Sequence, residues 1–177
     1  MTKIGLEIHC QLTTLQSKLF CSCKANYREF EPNHNICPIC MGLPGSLPRL
    51  NQKAVESATS IAMELSCETP EKIAFFRKNY FYPDLPKNFQ ITQLNVYGDM
   101  SVGGEGYVDV EGKKIKIRRI QLEEDPGRLI YEGESERTKI TLVDYNRAGT
   151  PLVEIVTNPD FENPRQVRVF LNILSDL

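Results

Sequence analysis

Apolar and polar residues alternate without a break at the start of the chain. Ile4, Leu6 and Ile8 fall on one side, and Gly5, Glu7, His9 and Gln11 on the other. This predicts a half-buried strand over residues 3–12 that presents a carboxylate and an imidazole together. Beyond residue 50 the period changes. Asn51 offers an N-cap, and Val55, Ala58, Ile61, Ala62 and Leu65 recur at helical spacing to about Ser66. Short strands are expected around 90–97 and 106–110, joined by a Gly-rich turn from Gly98 to Gly104. Ile115 to Glu124 makes a longer strand, stopped by Asp125-Pro126-Gly127, and its parity slips near Arg118-Arg119, which predicts a bulge. Lys139 to Tyr145 and Pro151 to Val156 are further strands around an Asn-Arg-Ala-Gly turn. Asn163 and Pro164 open a last helix with a stripe of Val167, Phe170, Leu171 and Leu174. The elements add up to an α+β fold, a mainly antiparallel sheet with two helices covering one face. The last stripe needs a partner, so the end of the chain reads as a truncation.

One stretch follows no period. Arg77 to Gln93 holds four aromatics, two prolines and three basic residues, with almost no aliphatics. It reads as an irregular functional loop. Arg77, Lys78 and Lys87 suit phosphates, and Tyr80, Phe81 and Tyr82 could stack or wall a cleft.

The length of 177 residues suits one domain with a real core. A net charge of −2 excludes a globally basic nucleic-acid binder, so RNA contact needs a local patch. Lys113 to Arg119 and Lys72 to Lys78 are the two candidates. No stretch is long and apolar enough for a membrane span, and the start lacks a signal-peptide pattern. A cytoplasmic protein with reduced thiols is expected, and there clustered cysteines suggest a metal. Cys21-x-Cys23 and Cys37-x-x-Cys40 are two close pairs with a polar loop between them. This predicts a small zinc-knuckle insertion over residues 19–45, a closed structural site, with His34 as an alternative ligand. Cys10 and Cys67 stand alone and read as small apolar residues.

Three predicted strands offer oxygen ligands. Glu7 and His9 share one strand face, Glu123, Glu124 and Asp125 end a second, and Glu154 sits in the apolar strand Leu152 to Val156. A buried ionised Glu is costly unless paired or bound to a cation. The set suits magnesium, which takes carboxylates, waters and phosphates. No Walker-type glycine loop is present, and no Ser or Cys stands beside a base as a nucleophile.

The motifs IGLEIHCQL, CPICMGLPGSLPRLN, RKNYFYPDLPKNFQITQ, QLEEDPGR and LVDYNRAGTPLVEIV occur in that order. Together they resemble the N-terminal part of the B subunit family of aspartyl/glutamyl-tRNA amidotransferases. The resemblance implies the N-terminal part of a catalytic cradle domain like that of glutamine synthetase and guanidino kinases, spanning 1–177 without the helical and tail domains that follow in the family. It implies use of ATP and magnesium to phosphorylate the side-chain carboxylate of Glu-tRNA(Gln) and/or Asp-tRNA(Asn). Ammonia from an amidase A subunit then displaces phosphate, and a small C subunit completes the assembly. By this resemblance Lys78, Glu124 and Glu154 are catalytic, Glu7, His9, Glu124 and Glu154 hold magnesium, and Cys21, Cys23, Cys37 and Cys40 hold zinc. Glu123, Asp144, Asn146 and Arg147 support the site or touch nucleotide. A zinc-knuckle RNA-binding module and an inactive docking piece are the alternatives.

Overall fold

The computed structural model describes residues 3–93, 100–132 and 140–177. Five strands form the path of the main sheet: β1 (Glu7–Gln11), β8 (Pro151–Thr157), β5 (Lys113–Glu124), β3 (Phe89–Thr92) and β2 (Phe76–Asn79), in that order and all antiparallel. A sixth, β4 (Gly106–Val110), pairs with the first half of β5. β6 (Arg128–Glu132) and β7 (Ile140–Asp144) form a separate hairpin. Helices α1 (Gln52–Glu64) and α2 (Pro164–Ser175) pack into the same core as the sheet. The chain is therefore α+β, mainly antiparallel, with two helices.

Both helices start as their caps predict. Asn51 Oδ1 accepts from Ala54 N at 3.3 Å, and Asn163 Oδ1 accepts from Gln166 N at 3.1 Å. α1 buries Ala54, Ala58 and Ala62, so its inner face is narrower than the stripe predicted from Val55 and Ile61, which are only half-buried. Small residues there let the helix lie close on β5. In α2, Phe170 is fully buried against Phe161, whereas Leu171 of the predicted stripe is 42% exposed. Ile173 joins Val167 and Leu174 on the core side instead.

The bulge in β5 organises the molecule. Register against β8 shifts between Ile117 and Arg119, as the parity slip predicts. Before it, Ile115 and Ile117 face the core; after it, Ile120 and Leu122 do. One extra residue thus keeps the apolar side continuous and turns Arg119, Gln121 and Glu123 to the other face.

Three predicted features differ. Arg77 to Gln93 is not irregular throughout: its ends are the arms of a hairpin, with Arg77 opposite Ile91 and Lys78 opposite Gln90. Its pattern hides this because Gln90 and Thr92 are buried polar residues, so polarity does not alternate. β6 has no counterpart in the predicted elements. The strand expected around 90–97 runs only over Phe89–Thr92 within the described residues, and its continuation and Lys139 lie outside them.

Candidate active site and cysteine centre

Directly opposed residues in antiparallel strands point to one face. His9 opposes Glu154, which opposes Gln121; Gln11 opposes Leu152, which opposes Glu123; Glu123 in turn opposes Thr92. The face away from the helices therefore gathers Glu7, His9, Glu154, Gln121, Glu123, Thr92 and Lys78 from five strands. Of these, Glu7, His9, Lys78, Glu123 and Glu154 line an open cleft of about 560 Å³, whose walls include Tyr27, Arg28, Tyr80, Asp125 and Arg147.

Acid–base contacts knit the floor of this cleft. His9 Nε2 lies 3.0 Å from Glu123 Oε1 and 3.6 Å from Glu154 Oε2. Arg119 reaches the other Glu154 oxygen at 3.2 Å and donates from Nε to Gln121 Oε1 at 3.2 Å. Glu123 is 5% exposed. Burial pushes its carboxyl up, the neighbouring Glu154 pushes further, and His9 and Lys78 oppose both. One ligand atom each from Glu7, His9 and Glu154 lies within 4.8 Å of the others. The donor set of two carboxylates and an imidazole, with Glu123 beside it, fits a divalent cation with open positions for water and phosphate. Lys78, Arg28 and Arg147 stand among the lining as positive charges for anionic oxygens.

Asp125 sits at the lip, 3.4 Å from Arg147 Nε. Burial pushes its carboxyl up to about 6, against the charges of Arg147 and His9. A carboxyl raised in the folded state favours folding fully below its unfolded value and loses that contribution as pH rises through its folded value. Asp125 therefore weakens the fold between about pH 4 and pH 6. Asp125→Asn is expected to stabilise the chain by roughly 2–3 kcal/mol above pH 6 and by nothing below pH 4. Urea unfolding at pH 4 and pH 7 checks this, and a gain that does not depend on pH would contradict it.

The structure parts two neighbours that the sequence places side by side. Glu123 lies in the cleft, whereas Glu124 faces the opposite side of the sheet. There Glu124 accepts from Lys87 Nζ and from Ile91 N, each at 2.8 Å. Burial pushes its carboxyl up, and Lys87 and the Ile91 N–H pull it back. Glu124 thus stands apart from the Glu7, His9 and Glu154 group. Asp144 and Asn146 are not among the cleft residues either. Asp144 accepts from Asn33 N at 3.0 Å, and Asn146 accepts from Asn35 N at 2.7 Å and donates to Glu31 O at 2.7 Å. They clamp the cysteine-rich segment onto the turn before β8. Arg147, the next residue, does reach the cleft and is fixed by the Pro126 and Gly127 carbonyls at 3.0 and 2.7 Å.

That clamped segment carries the cysteines. The sulfurs of Cys21, Cys23, Cys37 and Cys40 all lie within 4.8 Å of one another, and His34 is not among them. Four thiolates at zinc bond lengths of about 2.3 Å sit about 3.8 Å apart, so the donor set fits zinc. Cys37 N donates to Cys40 Sγ at 3.1 Å, closing the turn between the second pair. The free thiols crowd one another. A hydrogen bond from Cys21 holds Cys40 down at about 5, while burial pushes Cys23 up to about 11. Such a cluster shares protons poorly and suits a cation. Between the pairs, the turn Tyr27–Glu29 brings Tyr27 and Arg28 to the cleft, with Arg28 3.4 Å from Gln11 Oε1. Pattern reading missed Arg28 and Tyr27, and it placed Arg119 only in a basic run and at the bulge. An aromatic–arginine pair inside an otherwise polar loop was the available signal for the first two.

The basic run Lys113 to Arg119 is partly neutralised. Lys113 pairs with Glu162 at 2.8 Å, and Lys114 lies over the Tyr107 ring. No helix among the described residues is long and apolar enough to cross a membrane.

Fold and site define an α+β domain with a cleft of acidic and basic side chains on one sheet face and a four-cysteine cluster beside it. The chain belongs to the GatB/GatE catalytic domain family, which matches residues 2–177. It is 52% identical over 176 residues to the B subunit of the aspartyl/glutamyl-tRNA(Asn/Gln) amidotransferase of Methanoregula boonei, covering 97% of this chain and 36% of that protein. The corresponding proteins of Methanospirillum hungatei and Saccharolobus solfataricus are 52% and 48% identical, over 98% and 100% of this chain and 36% and 38% of theirs. The chain thus spans a little over a third of the length of these curated relatives.

Proposed function

We propose that this chain carries the ATP-dependent centre of a tRNA-dependent amidotransferase, within a cradle domain of the glutamine synthetase and guanidino-kinase type. The substrate is the side-chain carboxylate of Glu-tRNA(Gln) and/or Asp-tRNA(Asn). ATP phosphorylates it, and ammonia supplied by an amidase A subunit displaces the phosphate to leave the amide; a small C subunit holds the assembly together. The reaction is a carbon–nitrogen ligase reaction with glutamine as the amido donor, and it belongs in the cytoplasm, where charged tRNA is used. The observation that carries this reading is the convergence of Glu7, His9, Glu123 and Glu154 on one sheet face beside Lys78, Arg28 and Arg147.

Phosphoryl transfer needs positioning and charge neutralisation rather than a protein nucleophile, because the substrate carboxylate attacks. Magnesium, when bound, would neutralise phosphate charge and orient the transferred group. Glu7, His9 and Glu154 would hold it, with Glu123 as a fourth ligand and third oxygen donor. His9 fixes Glu123 and Glu154 relative to each other, and Arg119 fixes Glu154 from the far side. Lys78 and Arg147 neutralise phosphate or acyl-phosphate oxygens. Glu124 holds the Arg77–Gln93 hairpin to β5 through Lys87 and Ile91 N, and so positions Lys78 from behind. Zinc in the cysteine centre would keep the loop bearing Tyr27 and Arg28 in place.

Adjacent substitutions test the face assignment. Calorimetric titration with Mg-ATP is expected to show binding to the wild-type chain, roughly tenfold or greater weakening in Glu123→Gln, and a smaller weakening in Glu124→Gln, which acts only through the hairpin that carries Lys78. Equal loss in both, or loss in Glu124→Gln alone, would place the nucleotide on the other face. Binding that instead follows RNA, with a steep salt dependence mapped to Lys113–Arg119, would favour an RNA-binding module.

A further inference from the structure

Lys18 has no exposed surface and is among the largest fully buried side chains of the described residues. Its backbone N–H donates to Cys23 O at 2.9 Å, which seats it at the base of the first cysteine pair. Its ammonium donates to Asn35 O at 2.9 Å and lies 3.8 Å from Cys40 Sγ. Among the described residues no carboxylate oxygen comes within 4.0 Å of it. Glu124, on the same side of Gly149, is held by Lys87.

A buried ammonium without a counter-charge is among the costliest features a fold can hold. A carbonyl oxygen satisfies one of its protons but supplies no charge. The adjacent negative charge is the cysteine centre. Four thiolates around a divalent cation leave two net negative charges, themselves buried and in need of compensation. The two costs cancel when the groups lie side by side, and a charged N–H donor to a ligating sulfur fixes that ligand's orientation. At 3.8 Å Lys18 is an outer partner of Cys40 and not a fifth ligand.

We propose that Lys18 is the charge partner and positioning residue of the tetrathiolate zinc centre, compensating its net negative charge through Cys40 and setting its metal affinity. This rests on the zinc reading of the four cysteines. Lys18 also ties the centre to the rest of the domain. Asn35, which accepts its second hydrogen bond, donates its own N–H to Asn146, the residue before Arg147. Cys40, Lys18, Asn35 and Asn146 form one continuous contact chain from the cysteines to the turn that carries Arg147.

The test compares the full chain with Lys18→Met, which keeps an unbranched side chain one atom shorter and removes its charge. Zinc affinity is measured by competition with a chromophoric chelator, and ligand geometry by the absorption of the cobalt-loaded protein. Lys18→Met is expected to keep tetrahedral cobalt–thiolate bands and to bind zinc about 10- to 100-fold more weakly. Unchanged affinity in folded Lys18→Met overturns the proposal while leaving the zinc centre in place. Absence of thiolate charge-transfer bands in cobalt-loaded wild type overturns the zinc reading itself. A second measurement needs no variant. In the chain loaded with cadmium-113, scalar coupling from the metal to a lysine ammonium proton is expected through Cys40 Sγ, and its absence contradicts the contact.

Discussion

Replacing Glu154 with alanine is expected to abolish Mg-ATP binding while leaving the fold as stable as before or slightly more so. Glu154 stands at the middle of the cleft floor. It opposes His9 on one side and Gln121 on the other, and it takes Arg119 at 3.2 Å on one oxygen and His9 at 3.6 Å on the other. In the proposed role as a cation ligand, its loss removes several kcal/mol of cation and phosphate stabilisation, roughly a hundredfold or more in affinity. Stability moves the other way. Glu154 is the second cause, after burial, of the raised Glu123 carboxyl, so its removal relieves repulsion between two acids. Arg119 loses its partner but remains about a quarter exposed, so water can solvate it. Titration calorimetry and urea unfolding on one preparation separate the outcomes. Retained nucleotide binding with a large loss of stability would make Glu154 an ordinary structural ion pair.

The second large effect is at the cysteines. Cys40→Ser is expected to release zinc and to melt residues 19–45, and Mg-ATP binding should weaken with them. Structural zinc supplies about 10–16 kcal/mol to small sites, far more than a polar loop recovers by packing. The loop between the pairs shows few buried residues apart from Ala25 and Asn35. The reach to the cleft is geometric, because Tyr27 and Arg28 line it and the Asn33 and Asn35 clamps hold the turn before Arg147. A closed cysteine cluster read from spacing alone looks irrelevant to the reaction; here the loop between its pairs forms part of the cleft wall. Metal content by mass spectrometry, amide exchange over residues 19–45 and calorimetry are the measurements. Exchange that stays slow in a metal-free variant would show that the clamps suffice without zinc.

Glu123 and Glu124 show why parity limits what a linear reading can assign. In a regular strand the two would face opposite sides, but which side belongs to which depends on the bulge at Arg118. The slip is visible in the sequence, and its consequence is not, because the core side is fixed by what packs on it. Resemblance pointed to Glu124 as the stronger residue and Glu123 as support. The sheet puts Glu123 with His9 and seals Glu124 behind it with Lys87. Arg28 and Lys18 were invisible for a related reason. Their roles come from contacts across 17 residues or more, to Gln11, Asn35 and Cys40, and no local pattern encodes such a distance.

Linear pattern was enough to specify the strand of Glu7 and His9, both helices with their caps, the bulge and the paired cysteines. These rest on local terms: side-chain period, capping hydrogen bonds, turn residues and ligand spacing, all of which act within a few residues along the chain. Packing settled the rest: which acids share the cleft, that the Arg77–Gln93 ends pair as strands, that Asp144 and Asn146 clamp a loop, and that a buried lysine meets the cysteines. Those outcomes depend on strand order and register, where burial and charge are balanced among residues far apart in sequence.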